Sequence, residues 1–211
     1  MTLPKRPKLA TEVRQASLVD AALRLAACHS PMNITTADLA REVGITQGAV
    51  FRHFATKESI WTAVMDWATE HLMAQLRAAA ASASPAGVSA QPLAALQAVF
   101  LAHVAFVVEY PGVPRVIFQE LQHAEDSALR CRVRGLMQQY RGLLADLLAQ
   151  AQAQQLLHPS TDLQAAAVLL IGSVQGLVMQ SMLGGRPEAL SAQASGVFSI
   201  YLRGLTAKDP T

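Results

Sequence analysis

The chain is short of charge, of aromatic rings and of cysteine. Charged residues make up 15% of its 211 positions, against about 25% in an ordinary soluble domain. That shortage predicts that part of the surface does not face water. The two cysteines, Cys28 and Cys131, stand far apart with no CxxC spacing. They exclude a disulfide framework and a zinc site and read as buried or idle thiols of a reducing compartment, the cytoplasm. Glycine and proline, at 12 and 10 residues, are too few for a collagen or a proline-rich linker. At 52% apolar residues the chain is not disordered, and a net charge of +2 names no partner. No GxSxG, HExxH, GxGxxG or P-loop string occurs, so nothing points to an enzyme, a metal or a cofactor. The basic start Met1-Thr2-Leu3-Pro4-Lys5-Arg6 has no apolar run behind it and is not expected to be a secretory signal.

Helical periodicity fills the rest. Val13, Leu18, Val19, Ala22, Leu23 and Ala26 mark a first helix over about 11–29. Thr35 to Asp38 has capping-box spacing and opens a short second helix, stopped by Gly44. Thr46 is placed to cap a third over about 47–53, and Thr56-Lys57-Glu58 opens a long fourth to about 81. Ser82 to Gln91 is a loop by composition. A fifth helix carries Leu93, Leu96, Phe100, Val104 and Val107 and is predicted to end at Pro111-Gly112-Val113-Pro114. A sixth covers Val116 to Gln122, and a seventh carries Val133, Leu136, Tyr140, Leu144 and Leu147. Thr161 and Gln164 predict the cap of an eighth helix, which Gly184-Gly185 ends. Pro187 suits the start of a ninth. No segment alternates as a half-buried strand would. The expected fold class is therefore all-α, with nine helices. Leu163 to Leu183 holds no charge over 21 residues, long enough to cross a bilayer. Its glutamines and serines and the lack of a flanking basic cluster favour a helix buried on nearly all sides inside protein.

The segment from Ile34 to Trp61 carries the chemistry. Two short helices joined at a glycine form a helix-turn-helix. Ala40 permits their close approach, and Leu39, Val43, Ile45 and Val50 supply a small core. Val50 and Phe54 point inward. Gln47, Gly48, Ala49, Phe51, Arg52 and His53 are left for the outside or the flanks. Glutamine suits an adenine edge and an alanine methyl suits thymine, while Gly48 permits close approach of the backbone. The helix ends at Thr35/Thr36 and Thr56/Lys57 offer N–H groups to phosphate, and Lys57 adds charge. Residues 1–60 hold eight basic side chains against five acidic, and the remainder nine against ten. Lys5, Arg6 and Lys8 form a basic arm that either follows the DNA backbone or is a solvated tail.

The string TTADLAREVGITQGAVFRHFATKESIW, with the helix before it, resembles the DNA-binding region of the TetR family of bacterial regulators. The likeness covers residues 12–62. It departs at Phe51, where the family usually has a tyrosine whose hydroxyl helps hold a phosphate. The resemblance implies a two-domain fold. A helix-turn-helix domain would occupy residues 1–62, with the arm at 1–11, and a ligand-binding and dimerisation domain residues 63–211. It implies DNA contacts from Thr35, Thr36, Thr46, Gln47, Gly48, Ala49, Phe51, Arg52, His53 and Lys57. It also implies a mostly apolar pocket drawn from Trp67, Phe100, His103, Val104, Phe118, Gln122, Tyr140 and Gln175. Taken singly, each of these aromatics suits a core role as well, and His103 is either a satisfied core histidine or a ligand handle. The last two long helices would pair with those of a second copy through Gly172, Gly176, Met179, Phe198 and Tyr201. The two glycines also suit packing within one chain or a pocket wall.

The function so implied is a homodimeric repressor, released from a palindromic operator by a small effector. The alternative is an activator or nucleoid-associated factor of the same fold that answers to no small molecule. A helical carrier or enzyme with a vestigial reader is the third possibility.

Overall fold

The computed structural model describes residues 11–83, 91–184 and 187–206, without the side chains of 187–189. The basic arm, most of the segment 82–91 and Gly185 lie outside the described residues. Within them are nine helices and no strand. They are α1 (Thr11–Cys28), α2 (Thr36–Val43), α3 (Gln47–Val50), α4 (Lys57–Ser82), α5 (Pro92–Glu109), α6 (Gly112–Glu120), α7 (Ala128–Ala153), α8 (Leu163–Gly184) and α9 (Pro187–Thr206).

Local chemistry sets most of these boundaries. Thr35 caps α2 with a full capping box: its hydroxyl accepts from the Asp38 N–H, and the Asp38 carboxylate accepts from the Thr35 N–H. Gly44 ends α2 at φ 71° and ψ 41°, a conformation that costs a side-chain-bearing residue energy. The Ile45 N–H then returns to the Ala40 carbonyl at 2.9 Å, which closes the turn and satisfies a helix-end carbonyl.

Three boundaries differ from the sequence reading. The third helix stops at Val50 rather than 53, because the Arg52 and His53 N–H groups bond three residues back, to Ala49 and Val50. This tightens the chain into a turn. The sixth helix starts at Gly112 and ends at Glu120, so the Pro111–Pro114 run begins a helix as well as ending one. Pro114 is tolerated because first-turn N–H groups have no partner within a helix. The cap of α8 is Asp162, not Thr161: its carboxylate accepts from the N–H groups of Gln164 and Ala165 at 2.9 and 3.1 Å. A charged acceptor serves a helix N-terminus better than a hydroxyl one residue further out.

The chain divides into two compact units. The first comprises Met1–Ala68 and Tyr110–Arg132. Here α1 packs on α2 and on α6, and α2 on α3. Leu18, Ala22, Ala26, Leu39, Val50, Ile60 and Val64 are fully buried, and each leucine, valine or isoleucine so placed stabilises by about 1.5–3 kcal/mol. Gly112 lets α6 approach α1: a Cβ there would lie 2.6 Å from the Leu23 carbonyl oxygen and 3.0 Å from the Ala26 Cβ. Arg130 donates to the carbonyls of Glu120, His123 and Ala124 at and just beyond the end of α6, and Arg132 pairs with Asp66 at 2.9 Å.

The second unit comprises Thr69–Glu109 and Val133–Thr211. Helices α5, α8 and α9 pack on one another around Leu96, Phe100, Leu170, Val174 and Phe198. The Tyr201 hydroxyl donates to the Ala166 carbonyl at 3.1 Å, and the His158 N–H donates to the Leu205 carbonyl at 2.8 Å. By length and composition α5 and α8 could each cross a membrane, yet both are core helices of this unit. The expectation that α8 is buried on nearly all sides is corrected for the single chain. Val168, Leu169, Met179, Met182 and Leu183 are exposed along it, Leu183 at 76%. Their spacing follows the helical period, so one uncharged face is left uncovered among the described residues.

Candidate nucleic-acid interface

The reader is built on the α2–turn–α3 corner. Thr46, extended at φ −84° and ψ 151°, caps α3 by accepting from the Ala49 N–H at 3.3 Å. Val50 (0% exposed) and Phe54 (8%) anchor the inner side. That fixes the outer side, where Gln47, Gly48 and Arg52 are exposed and Ala49 and His53 half-buried. Nothing lies within 4 Å of where a Gly48 Cβ would be, so the backbone there is open to an approaching surface. Phe51 keeps 48% of its area exposed, an apolar ring on a face otherwise suited to phosphate and base edges.

The two threonines at the start of α2, the cap Thr35 and the first helical residue Thr36, differ. Thr35 spends its hydroxyl inside the capping box, where it also donates to the Asp38 carboxylate at 2.7 Å. These hydrogen bonds from the Thr35 hydroxyl and N–H, with Arg41 beside it, hold the Asp38 carboxyl below its usual range. Thr36 is buried, and its Oγ1 accepts from Gln47 Nε2 at 2.8 Å. Thr56 caps α4 through the Ser59 N–H at 3.1 Å. The Lys57 ammonium donates to the Met32 carbonyl at 2.9 Å, which leaves two of its three N–H bonds for other acceptors. All ten residues singled out as DNA contacts thus lie on α2 or α3, at the caps Thr35 and Thr46 that precede them, on the turn after α3 or at the start of α4.

Two supporting contacts were beyond sequence reasoning. Gln15 of α1 donates from Nε2 to the His53 carbonyl at 2.9 Å, and Gln119 of α6 accepts from the Met32 N–H. Glutamine is a surface residue by default, and nothing near either position marks a partner 38 or 87 residues away.

The pocket candidates fall in several places. In the second unit Phe100, His103, Val104 and Tyr140 are buried, while Gln175 is exposed. His103 Nδ1 lies 3.2 Å from the Tyr140 hydroxyl, with the rings edge to face. Burial pushes the His103 imidazole down to about 4 and lifts the Tyr140 phenol above its ordinary value. In the first unit Trp67 and Phe118 are half-buried and Gln122 is exposed. Trp67 stacks edge to face on Tyr110 with centroids 4.8 Å apart. Of the five residues expected at a dimer face, Gly172, Gly176 and Met179 are exposed, whereas Phe198 and Tyr201 are buried in their own chain. Phe198 packs against Phe100 at 5.5 Å between ring centroids.

A capped pair of short helices, a left-handed glycine turn and an outward polar face on the second helix define a helix-turn-helix protein. Residues 18–64 match the family profile "Bacterial regulatory proteins, tetR family", and residues 117–196 match "Tetracyclin repressor-like, C-terminal domain". The chain belongs to the TetR family of transcriptional regulators, which are DNA-binding and not enzymatic. It is 27% identical over 174 residues to the nucleoid occlusion factor SlmA of Marinobacter nauticus, covering 81% of this chain and 86% of that one. Its fold is similar to that of the fatty acid degradation regulator FadR from Bacillus halodurans, with TM-score 0.78 and 17% identity over 96% of this chain and all of that one. It is also similar to FadR from Bacillus subtilis in complex with stearoyl-CoA, with TM-score 0.76 and 16% identity over 90% and 98% of the two chains.

Proposed function

We propose that the protein is a cytoplasmic, homodimeric repressor that leaves a palindromic operator when a small, mostly apolar effector binds. Residues 1–62 would read DNA, and 63–211 would dimerise and hold the effector. The observation that carries the dimer is the exposed uncharged face of α8, with Val168, Leu169, Met179, Met182 and Leu183 beside Gly172 and Gly176. A contiguous apolar stripe of this kind marks a partner surface. A methyl added at position 172 or 176 would meet nothing within 4 Å, so the backbone of a second helix can come close. A closed twofold dimer presents two copies of α3, which suits two half-sites about 34–36 Å apart. The B. subtilis FadR complex with stearoyl-CoA supports an effector with a long apolar part.

The test is footprinting on a selected DNA site across a salt series. A protected palindrome is expected. Arg52→Ala should lower the slope of log affinity against log salt by about 1 for each phosphate that the arginine neutralises. A protected site without twofold symmetry, or an unchanged slope, overturns the assignment.

The similarity to SlmA favours a second reading, a DNA-bound factor that answers to no small molecule. A thermal-shift series with long-chain acyl-CoA and other apolar compounds separates the two. Stabilisation by one of them that also releases DNA supports the repressor. Intact DNA binding with no compound effect supports the second reading.

A further inference from the structure

Gln47 is the first residue of α3, and its side chain is held from inside the reader. Thr46 fixes the backbone at the helix start by accepting from the Ala49 N–H. Thr36, the first residue of α2, fixes the side chain by accepting from Gln47 Nε2 at 2.8 Å. Thr36 is 8% exposed, and Gln47 is the partner of its hydroxyl across the corner.

A primary amide carries two N–H donors and one carbonyl acceptor. With one N–H spent on Thr36, Gln47 retains one N–H and the carbonyl oxygen. That pair is the set which matches N7 and the N6 amino group of adenine in the major groove. An exposed glutamine without such an anchor loses rotamer freedom when it meets DNA. Here the loss has been taken during folding, which favours binding and sharpens its geometry.

We infer that Thr36 is a positioning residue: it orients the Gln47 amide, and base preference at the pair Gln47 reads depends on the Thr36 hydroxyl. This rests on the DNA-reading function proposed above. It separates Thr36 from Thr35, whose hydroxyl is consumed by the α2 cap.

The test starts from a randomised double-stranded DNA pool selected with the full-length wild-type chain. Relative affinities are then measured for the selected site and its single-pair variants. Gln47→Ala should flatten the preference at one base pair, by roughly 5- to 150-fold for a bidentate contact. Thr36→Val, which keeps the shape and removes the hydroxyl, should flatten the same pair and leave the others. Thr36→Ser should retain the preference. In a Gln47→Ala background, Thr36→Val should add nothing.

The inference is overturned if Thr36→Val weakens every site by one common factor, and does so equally with Gln47→Ala, since that is the signature of a phosphate contact. It is also overturned if Thr36→Val leaves the preference intact. Should that variant fail to fold, side-chain amide relaxation of the free wild-type protein decides. Gln47 should be as rigid as the backbone, and mobility equal to that of the exposed Gln138 overturns the inference. A wild-type chain that selects no sequence at all fails the DNA-reading assignment instead, a separate and recognisable outcome.

Discussion

The side-chain oxygen of Gln119, on α6, accepts a hydrogen bond from the Met32 N–H at 2.6 Å. The carbonyl of the same Met32 accepts from the Lys57 ammonium at 2.9 Å. The loop between α1 and α2 is therefore held at both polar groups of one residue, by α6 on one side and the start of α4 on the other. Gln119→Ala removes one of these holds. The hydrogen bond is exposed, so the expected stability loss is about 0.5–1 kcal/mol. The sharper readout is hydrogen exchange at the Met32 amide, which should accelerate several-fold; an unchanged rate would show that the bond is not populated in solution.

Gly112 and Gly142 should respond in opposite directions to the same substitution. A methyl at 112 meets the Leu23 carbonyl oxygen at 2.6 Å, on a helix backbone with little room to move. Gly112→Ala should cost about 1–3 kcal/mol. Gly142 lies within α7 with nothing inside 4 Å, so Gly142→Ala should stabilise by about 0.5–1 kcal/mol. Urea midpoints measured on the two variants check the pair.

His103 makes stability depend on pH. Its folded imidazole titrates near 4, whereas an unfolded histidine titrates near 6.5. Below pH 6.5 the unfolded chain gains a proton that the folded chain does not take up until about pH 4. The contribution of the neutral side chain is therefore complete above 6.5, falls through that window and is lost below it. Its span is on the order of 3 kcal/mol. Urea midpoints at pH 7, 5.5 and 4.5 should fall less steeply for His103→Phe than for the wild type. Parallel curves would contradict the burial argument.

Leu169, 56% exposed on α8, should matter little to the single chain and much to its association. Leu169→Glu is expected to keep the helical circular dichroism and change monomer stability by no more than about 0.5 kcal/mol. Solution mass at micromolar concentration should shift from dimer to monomer. A variant that remains dimeric would move the interface away from this face.

The parts of the fold legible in the sequence are those decided within four or five residues. The Thr35–Asp38 box, the Thr46 cap, the left-handed Gly44 and the inward pair Val50 and Phe54 each need only a local pattern, and each stands where that pattern puts it. The start of α6 is not legible, because Pro111 and Pro114 punctuate a chain in the same way whether they end one helix or open the next. Nor is the Asp162 cap plain from spacing, because Thr161 and Asp162 are both good caps and the spacing from Thr161 to Gln164 mimics a capping box. For the candidate site, exposure of Gln47 and Gly48 follows from helical phase alone, whereas Arg52 is exposed in the turn after α3. The hydrogen bond from Gln47 to Thr36 does not, because it depends on how α2 and α3 cross. Phe198 and Tyr201 illustrate the same limit on α9. Periodicity marks an apolar face, but a face that packs on Phe100 and bonds to Ala166 has the same period as one that meets a partner.

The bond from the His158 N–H to the Leu205 carbonyl, together with the packing of α9 on both α5 and α8, sets an order for assembly during synthesis. The second unit joins residues near position 100 to residues near 200, as where Phe100 meets Phe198. Such distant pairings close late and slowly. Until residues 187–206 have left the ribosome, α5 and α8 can pack on each other, but the apolar faces that α9 covers stay open. The nascent chain is then at its most prone to aggregate, and dependence on a chaperone should peak just before α9 emerges.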